Sequence, residues 1–209
     1  MVGLQTARIK NAAPNTASIP QMRCTWPGSD PLMIAYHDTE WGVPEHNDRK
    51  LFELLILDNA QAGLSWSTVL KKRENYRTAL HNFQPHIIAA YSEADYARLL
   101  GDAGIIRNKL KIRSHIRNAQ VFLEIQKEYG SFDTYIWKFV EGKPVNNSWT
   151  AEKDIPAQTP LAEEISVNIK RRGMNFVGPT IIYAWMQSIG LVNDHITSCF
   201  RHAEITSLP

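Results

Sequence analysis

Leu99-Leu-Gly-Asp-Ala-Gly-Ile-Ile-Arg-Asn-Lys-Leu-Lys111 is the stretch on which the fold turns. A helical pattern ends at Gly101, a short turn bearing Gly104 follows, and a basic helix starts near Asn108. A glycine turn feeding a helix N-terminus aims backbone N–H groups outward, where they bind anions such as phosphate. That gives Ala103, Gly104, Ile105 and Ile106 a candidate role at a DNA backbone. Lys109, Arg113 and Arg117 fall at i, i+4 and i+8, a positive stripe beside the turn. Several such contacts to one strand give sequence-independent, salt-sensitive DNA binding. The same residues also suit a solvated helix face after an ordinary turn.

Outward from this stretch the pattern stays helical, with apolar residues three and four apart and no sustained alternation. Helices are expected over 48–57, 65–80, 108–129, 132–140, 160–172 and 178–189. Ser92-Glu-Ala-Asp95 is a capping box opening one more, with Asp95 in the place usually taken by Glu. Residues 141–159 are rich in Pro, Asn and Thr and read as a loop. The fold class is therefore all-α. Residues 1–21 are expected to be a flexible extension, and residues 22–209 one helical domain.

The chain has 209 residues, 44% of them hydrophobic and 21% charged, which suits a globular protein and excludes wholesale disorder. Formal charge is +2. Arg8, Lys10 and Arg23 stand in an acid-free N-terminal segment worth +3, which leaves the remainder at −1. A basic face must come from local clustering. There is no run of 18 apolar residues and no secretory leader, so a non-membrane, cytoplasmic protein is expected. Two cysteines exclude a disulfide-rich scaffold.

Each cysteine has a histidine near it. Twelve residues separate Cys24 from His37, and three separate His195 from Cys199. On a helix, residues four apart share a face, so His195 and Cys199 can point at one ion. Two Cys and two His fill a zinc tetrahedron and leave no position for water, as in a structural site. Such an ion would clasp the two ends of the chain together. The spacing equally admits two free buried thiols beside ordinary histidines, or an end-to-end disulfide.

Aromatic residues crowd the polar segments before and after the first expected helix: Trp26, Tyr36, Trp41 and Trp66. Flat apolar walls of this kind stack an extruded nucleobase, although packing a core is the commoner use of an aromatic. Asp58 follows Leu54 by four and so lies on the core-facing stripe, where a carboxyl must be bonded, paired or protonated. Its other reading is a solvent-exposed acid just past the helix end.

Five runs carry a resemblance: Asp30-Pro-Leu-Met-Ile-Ala-Tyr-His-Asp-Thr-Glu-Trp-Gly-Val-Pro44, Gln61-Ala-Gly-Leu-Ser-Trp66 with the Lys-Lys-Arg-Glu-Asn-Tyr76 that follows, Asp102-Ala-Gly-Ile-Ile-Arg107, Phe176-Val-Gly and Gly190-Leu-Val-Asn-Asp-His195. Together they resemble the DNA-3-methyladenine glycosylase I family over roughly residues 22–200, a branch of the helix–hairpin–helix glycosylases. The resemblance implies one structural zinc per chain on Cys24, His37, His195 and Cys199. It implies a base pocket of Tyr36 and Trp66, with Trp26 beside them, and a loop of Gly63 and Leu64 that fills the gap left by a flipped base. Residues 102–107 match the family's DNA-anchoring hairpin, and Lys109 and Arg113 extend it. The implied partner is double-stranded DNA containing alkylated bases, and the implied product is free 3-methyladenine. A monomer is expected.

At position 58 the family usually carries glutamate in contact with the damaged base, and this chain has aspartate. The carboxyl is withdrawn by about 1.5 Å, one C–C bond. The implied reaction is hydrolysis of the N-glycosidic bond by a monofunctional enzyme, with Asp58, Tyr36 and Trp66 around the base and an abasic site left behind. Asp58 also permits a lesion-binding protein of the same fold that does not cut, and a zinc-clasped interaction protein with no DNA role is a further reading.

Overall fold

In the computed structural model, residues 22–208 are described, so the extension expected over 1–21 lies outside them. Asp30 opens the first helix, α1 (Pro31–Thr39), by accepting from the Leu32 N–H, with Pro31 at the first helical position. This helix is absent from the sequence expectation, although its Asp-Pro start signal is present. Asn47 caps α2 (Asp48–Gln61), which runs one turn further than expected and takes Asp58 inside the helix.

The single helix expected over 65–80 is two, α3 (Trp66–Leu70) and α4 (Arg73–Ala79). The lysines at the break hold different neighbours. Lys71 pairs with Asp30 at 2.9 Å, while Lys72 Nζ donates to the carbonyls of Ala103 and Gly104 at 3.0 and 3.1 Å. A continuous helix would not serve both. Next come α5 (Pro85–Ala89) and α6 (Glu93–Gly101), the latter with both bonds of the Ser92–Asp95 capping box formed. Asn108 caps α7 (Lys109–Tyr129), and α8 (Phe132–Trp137) tightens into a 3₁₀ turn through Val140. The chain finishes with α9 (Pro160–Arg171), α10 (Pro179–Ser188) and α11 (Phe200–Thr206). A two-residue parallel pair, β1 (Val145–Asn146) with β2 (Val192–Asn193), ties the 141–159 loop to the segment after α10.

The axis of the core is α2. Leu51, Phe52, Leu55, Ile56, Leu57 and Ala60 are all fully buried, so the helix is enclosed on every side rather than along one stripe. Helices α7, α8 and α10 pack around it, and the Trp185 indole N–H donates to Leu51 O at 3.2 Å. Position 190 requires glycine twice over. Its φ is +69°, and a Cβ there would meet Val43 C at 2.3 Å. The close approach lets Glu45 N donate to Ile189 O at 3.0 Å, so the N-terminal segment is stitched to the end of α10.

Candidate metal centre and base pocket

Tyr36 and His37 are neighbours on α1, about 100° apart around its axis. Both are buried, and they face different sites: His37 turns toward the C-terminal segment, Tyr36 toward a cleft between α1, α2 and α10.

On the first side, one donor atom each from Cys24, His37, His195 and Cys199 lie within 4.8 Å of one another, all buried. His37 Nε2 is 3.1 Å from His195 Nδ1; Cys199 Sγ is 3.6 Å from the former and 3.5 Å from the latter, and Cys24 Sγ is 3.7 Å from His195 Nδ1. A tetrahedral zinc with bonds of about 2.3 Å to sulfur and about 2.05 Å to nitrogen demands S···N edges near 3.6 Å and N···N edges near 3.3 Å, so the set fits. The outer bonds fix the tautomers. His37 Nδ1 lies 2.7 Å from an Asp38 carboxylate that is itself gripped by Arg23 at 2.6 Å, and His195 Nε2 lies 3.0 Å from Trp41 O. With those nitrogens donating, the facing pair is left with lone pairs, which repel at 3.1 Å unless a cation lies between them. The thiols titrate as a pair: the bond between them pushes Cys24 up and pulls Cys199 down, so one proton suffices for two sulfurs. His195 and Cys199 are not on a helix as expected. They flank a turn in which Cys199 N donates to Ile196 O at 2.8 Å, and Cys199 caps α11.

The second side is a cavity of about 450 Å³ lined by Trp26, Tyr36, Trp41, Asp58, Trp66 and Ser188, with Thr180, Tyr183, Ala184 and Gln187 of α10 and Glu152, Ile155, Pro156 and Ala157 of the loop closing it. The Tyr36 ring lies 5.1 Å from Trp66 and 6.3 Å from Trp26. Trp26 packs edge-on against His37 at 5.4 Å, and Trp41 against His195 at 4.6 Å. The cluster of two cysteines and two histidines therefore braces two walls of the cavity. The indole N–H groups of Trp26 and Trp66 are buried with no partner among the described residues, which makes them unused donors in the wall of a polar-ligand site.

Asp58 forms the floor. It is 2% exposed, and its Oδ2 accepts from Ser188 Oγ at 2.9 Å. Burial pushes this carboxyl up to about 8, against the opposing bond from Ser188. Burial and the nearby Asp58 also raise Tyr36 well above its ordinary value. The solvent-exposed reading of Asp58 is thus overturned, because α2 continues past it.

The α2 C-terminus leads into the Gly63–Leu64 turn. Gly63 takes φ +76°, and Leu64 projects with 41% of its surface exposed. Beneath it, Lys111 Nζ from the first turn of α7 donates to Ala60 O at 2.9 Å and Ala62 O at 2.6 Å. This buried cation caps the helix end and ties the projecting leucine to the 102–108 hairpin. In the hairpin, Gly104 N is taken by Asp102 Oδ1 at 2.7 Å and Ile106 N by the Tyr76 hydroxyl at 3.1 Å, while the Ile105 side chain is buried. The outward anion site expected of this turn is therefore smaller than its glycines suggest. In the basic stripe, Arg113 is held bidentately by Glu93 at 2.6 and 2.9 Å and lies over the Tyr96 ring; Lys109 has no ion pair among the described residues.

Lys111, Ser188 and the lining residues of α10 are missing from the sequence expectation. A buried lysine looks like its exposed neighbours in a basic run. The α10 residues reach the site from far along the chain.

A helical domain with an aromatic cleft, a carboxyl floor, a projecting leucine and a helix–hairpin–helix turn has the make-up of a nucleobase glycosylase. Residues 26–202 match the family described as methyladenine glycosylase. DNA-3-methyladenine glycosylase 1 of Escherichia coli K12 is 49% identical over 177 residues, spanning 85% of this chain and 95% of that protein. A crystal structure of 3-methyladenine DNA glycosylase I superposes with a TM-score of 0.84 at 51% identity, covering 86% of this chain and 98% of the other. A variant of 3-methyladenine DNA glycosylase I in complex with 3-methyladenine superposes at 0.83 with 32% identity, covering 85% and 96%. The chain belongs to the methyladenine glycosylase family.

Proposed function

We infer that this chain is a DNA-3-methyladenine glycosylase that excises 3-methyladenine from alkylated double-stranded DNA. The observation that carries this is the cavity with an acidic floor among aromatic walls, on a chain 49% identical over 177 residues to a relative of that name. A base inside the duplex is unreachable, so the nucleotide must first be extruded. Leu64 is suited to fill the gap, with Gly63 allowing its turn. Tyr36, Trp66 and Trp26 would stack the base. Methylation at N3 makes the base cationic and already weakens its bond to the sugar, so the leaving group needs little acid catalysis. The walls favour the cation through their ring faces, and Asp58 through its charge once ionised. Among the described residues no lysine lines the cavity, which supports a monofunctional hydrolysis ending in free base and an abasic site.

The donor set and its outer bonds favour zinc as the metal of the clasp. Bound there, zinc supplies a cross-link between the chain ends and braces Trp26 and Trp41; it takes no part in the chemistry. Two thiols kept free to bind metal suit a reducing cytoplasm. The described residues contain no helix long and apolar enough to cross a membrane. We read residues 22–209 as one domain working as a monomer, with hairpin residues Ala103 to Ile106 and Lys109 toward DNA and Arg113 at its edge. Release of 3-methyladenine from methylated DNA tests the reading. An intact protein that binds the lesion and releases no base would sink it in favour of a lesion sensor.

A further inference from the structure

A second cavity, of about 170 Å³, lies behind the first, lined by Thr39, Glu40, Val43, Glu45, Lys50 and Leu54, and by Ser188. Ser188 is the one residue that lines both cavities. Its hydroxyl is 2.9 Å from Asp58 Oδ2 and 2.9 Å from Trp185 O. One hydroxyl has one proton. When it donates to Trp185 O, the bond to Asp58 must run the other way, from a protonated carboxyl. When Asp58 is ionised, the hydroxyl turns to donate to it, and Trp185 O keeps its bond from Ile189 N at 3.0 Å. Both states are therefore satisfied without moving a heavy atom.

The floor carboxyl is buried with Ser188 as its one hydrogen-bond partner among the described residues. Its surroundings offer the charged form little support: the groups facing it in the first cavity are Tyr36 from α1, Tyr183 from α10 and Glu152 from the loop, and it has no ion pair among the described residues. A cationic base needs the ionised form. Yet a flipped nucleotide fills the first cavity and, with the DNA, closes that route to solvent. The second cavity remains, with Glu40, Glu45 and Lys50 around it and Glu40 held by Arg73 at 2.8 Å. Its volume admits several waters at about 30 Å³ each.

We propose that Ser188 is the positioning and proton-transfer residue for Asp58: its hydroxyl carries the carboxyl proton out through the second cavity as a cationic base occupies the first. The Asp58 O–H bond breaks as its proton passes to Ser188 Oγ, and the proton of Ser188 passes to solvent in the second cavity. The sum is a carboxylic acid and water giving a carboxylate and hydronium, with the positive charge of the base balanced in place. This rests on the glycosylase reading, and it assigns a role to a residue on the far side of the catalytic floor from the DNA.

The test is proton release, followed with a pH indicator in weak buffer when the protein at pH 7 is mixed with freshly methylated duplex. The wild type should release close to one proton per lesion in a burst ahead of excision, and Asp58→Asn should lack that burst; hydrolysis of the cationic nucleotide adds its own proton afterwards, at the rate of excision, in either protein. Ser188→Ala should release the burst proton at least about tenfold more slowly. Its excision should also rise with pH about one unit later, the loss of a hydrogen bond to the ionised form. Ser188→Thr, which keeps a hydroxyl, should restore both. A merely structural role would lower melting temperature and binding without moving the pH profile. Release from Ser188→Ala as fast as from the wild type, or no rescue by threonine, overturns the proposal. Absence of excision by the wild type overturns the glycosylase reading instead. If Ser188→Ala melts early, Thr39→Phe, which obstructs the second cavity alone, should slow release with the floor intact.

Discussion

Two buried polar clusters sit on adjacent faces of α1, and they solve the problem of buried polarity in opposite ways. In the clasp every donor and acceptor is used: two imidazoles have their outer nitrogens bonded, and four inner atoms converge on one point. In the base pocket the accounts are left open. Asp58 makes its one bond to Ser188, and the indole N–H groups of Trp26 and Trp66 have no partner among the described residues. A closed set stabilises a fold, whereas an open set waits for a ligand. The two are mechanically joined, since Trp26 and Trp41 touch both.

The comparison breaks most easily at the clasp. Cys199→Ala should abolish stoichiometric zinc binding, measured by metal analysis, and lower the melting temperature by about 10 °C or more. Excision should fall with it, because two pocket walls lose their support. Unchanged stability with metal lost would mean that the clasp is not structural.

At the floor the order reverses, with activity suffering and stability not. Asp58→Asn should reduce excision by about 10²–10³-fold, a typical loss for one preorganised electrostatic group. Its pH dependence sharpens the point. The folded carboxyl is held up near 8, above its unfolded value, so its contribution to stability is present in acid and fades as pH rises toward 8. Asp58→Asn should therefore flatten the stability profile over that range and melt higher than the wild type in mild alkali. A parallel loss of stability at every pH would show instead that the carboxyl is a packing element.

On the walls the effect should be smaller. Trp66→Ala should weaken binding of free 3-methyladenine by about 1–3 kcal/mol, read by calorimetry, with the zinc content unchanged. Smallest of all, Lys109→Ala should reduce the slope of log affinity against log salt for undamaged duplex by about 1 and leave base binding alone. An unaltered slope would place the DNA path away from the start of α7.

Much of this was legible along the chain. The capping box at Ser92, the start of α7 at Asn108 and the Thr159-Pro160 entry to α9 are local signals, and they were read where they occur. The four side chains that could hold a metal stand out because Cys is rare and each lies near a His. Less visible are α1, a nine-residue helix with no marked apolar stripe, and the break at Lys71–Lys72, which depends on partners at Asp30 and in the hairpin. The basic stripe was overread. Glu93 lies twenty residues before Arg113 and looks unrelated until α6 folds against α7.

The sequence by itself determined the helical class and the caps, because each rests on residue type and short spacing; the pairing of Cys24 with His37 and of His195 with Cys199 offered a metal site as one reading among three, and the kind of chemistry came from the family resemblance. Tertiary structure decided which polar groups are satisfied. Ser188 reaches Asp58 across 130 positions, Lys111 reaches the end of α2 across 49 and 51, and Arg113 is drawn to Glu93. Burial and partnership are set by the whole packing, and they are what separate a carboxyl that braces the fold from one that waits for a base.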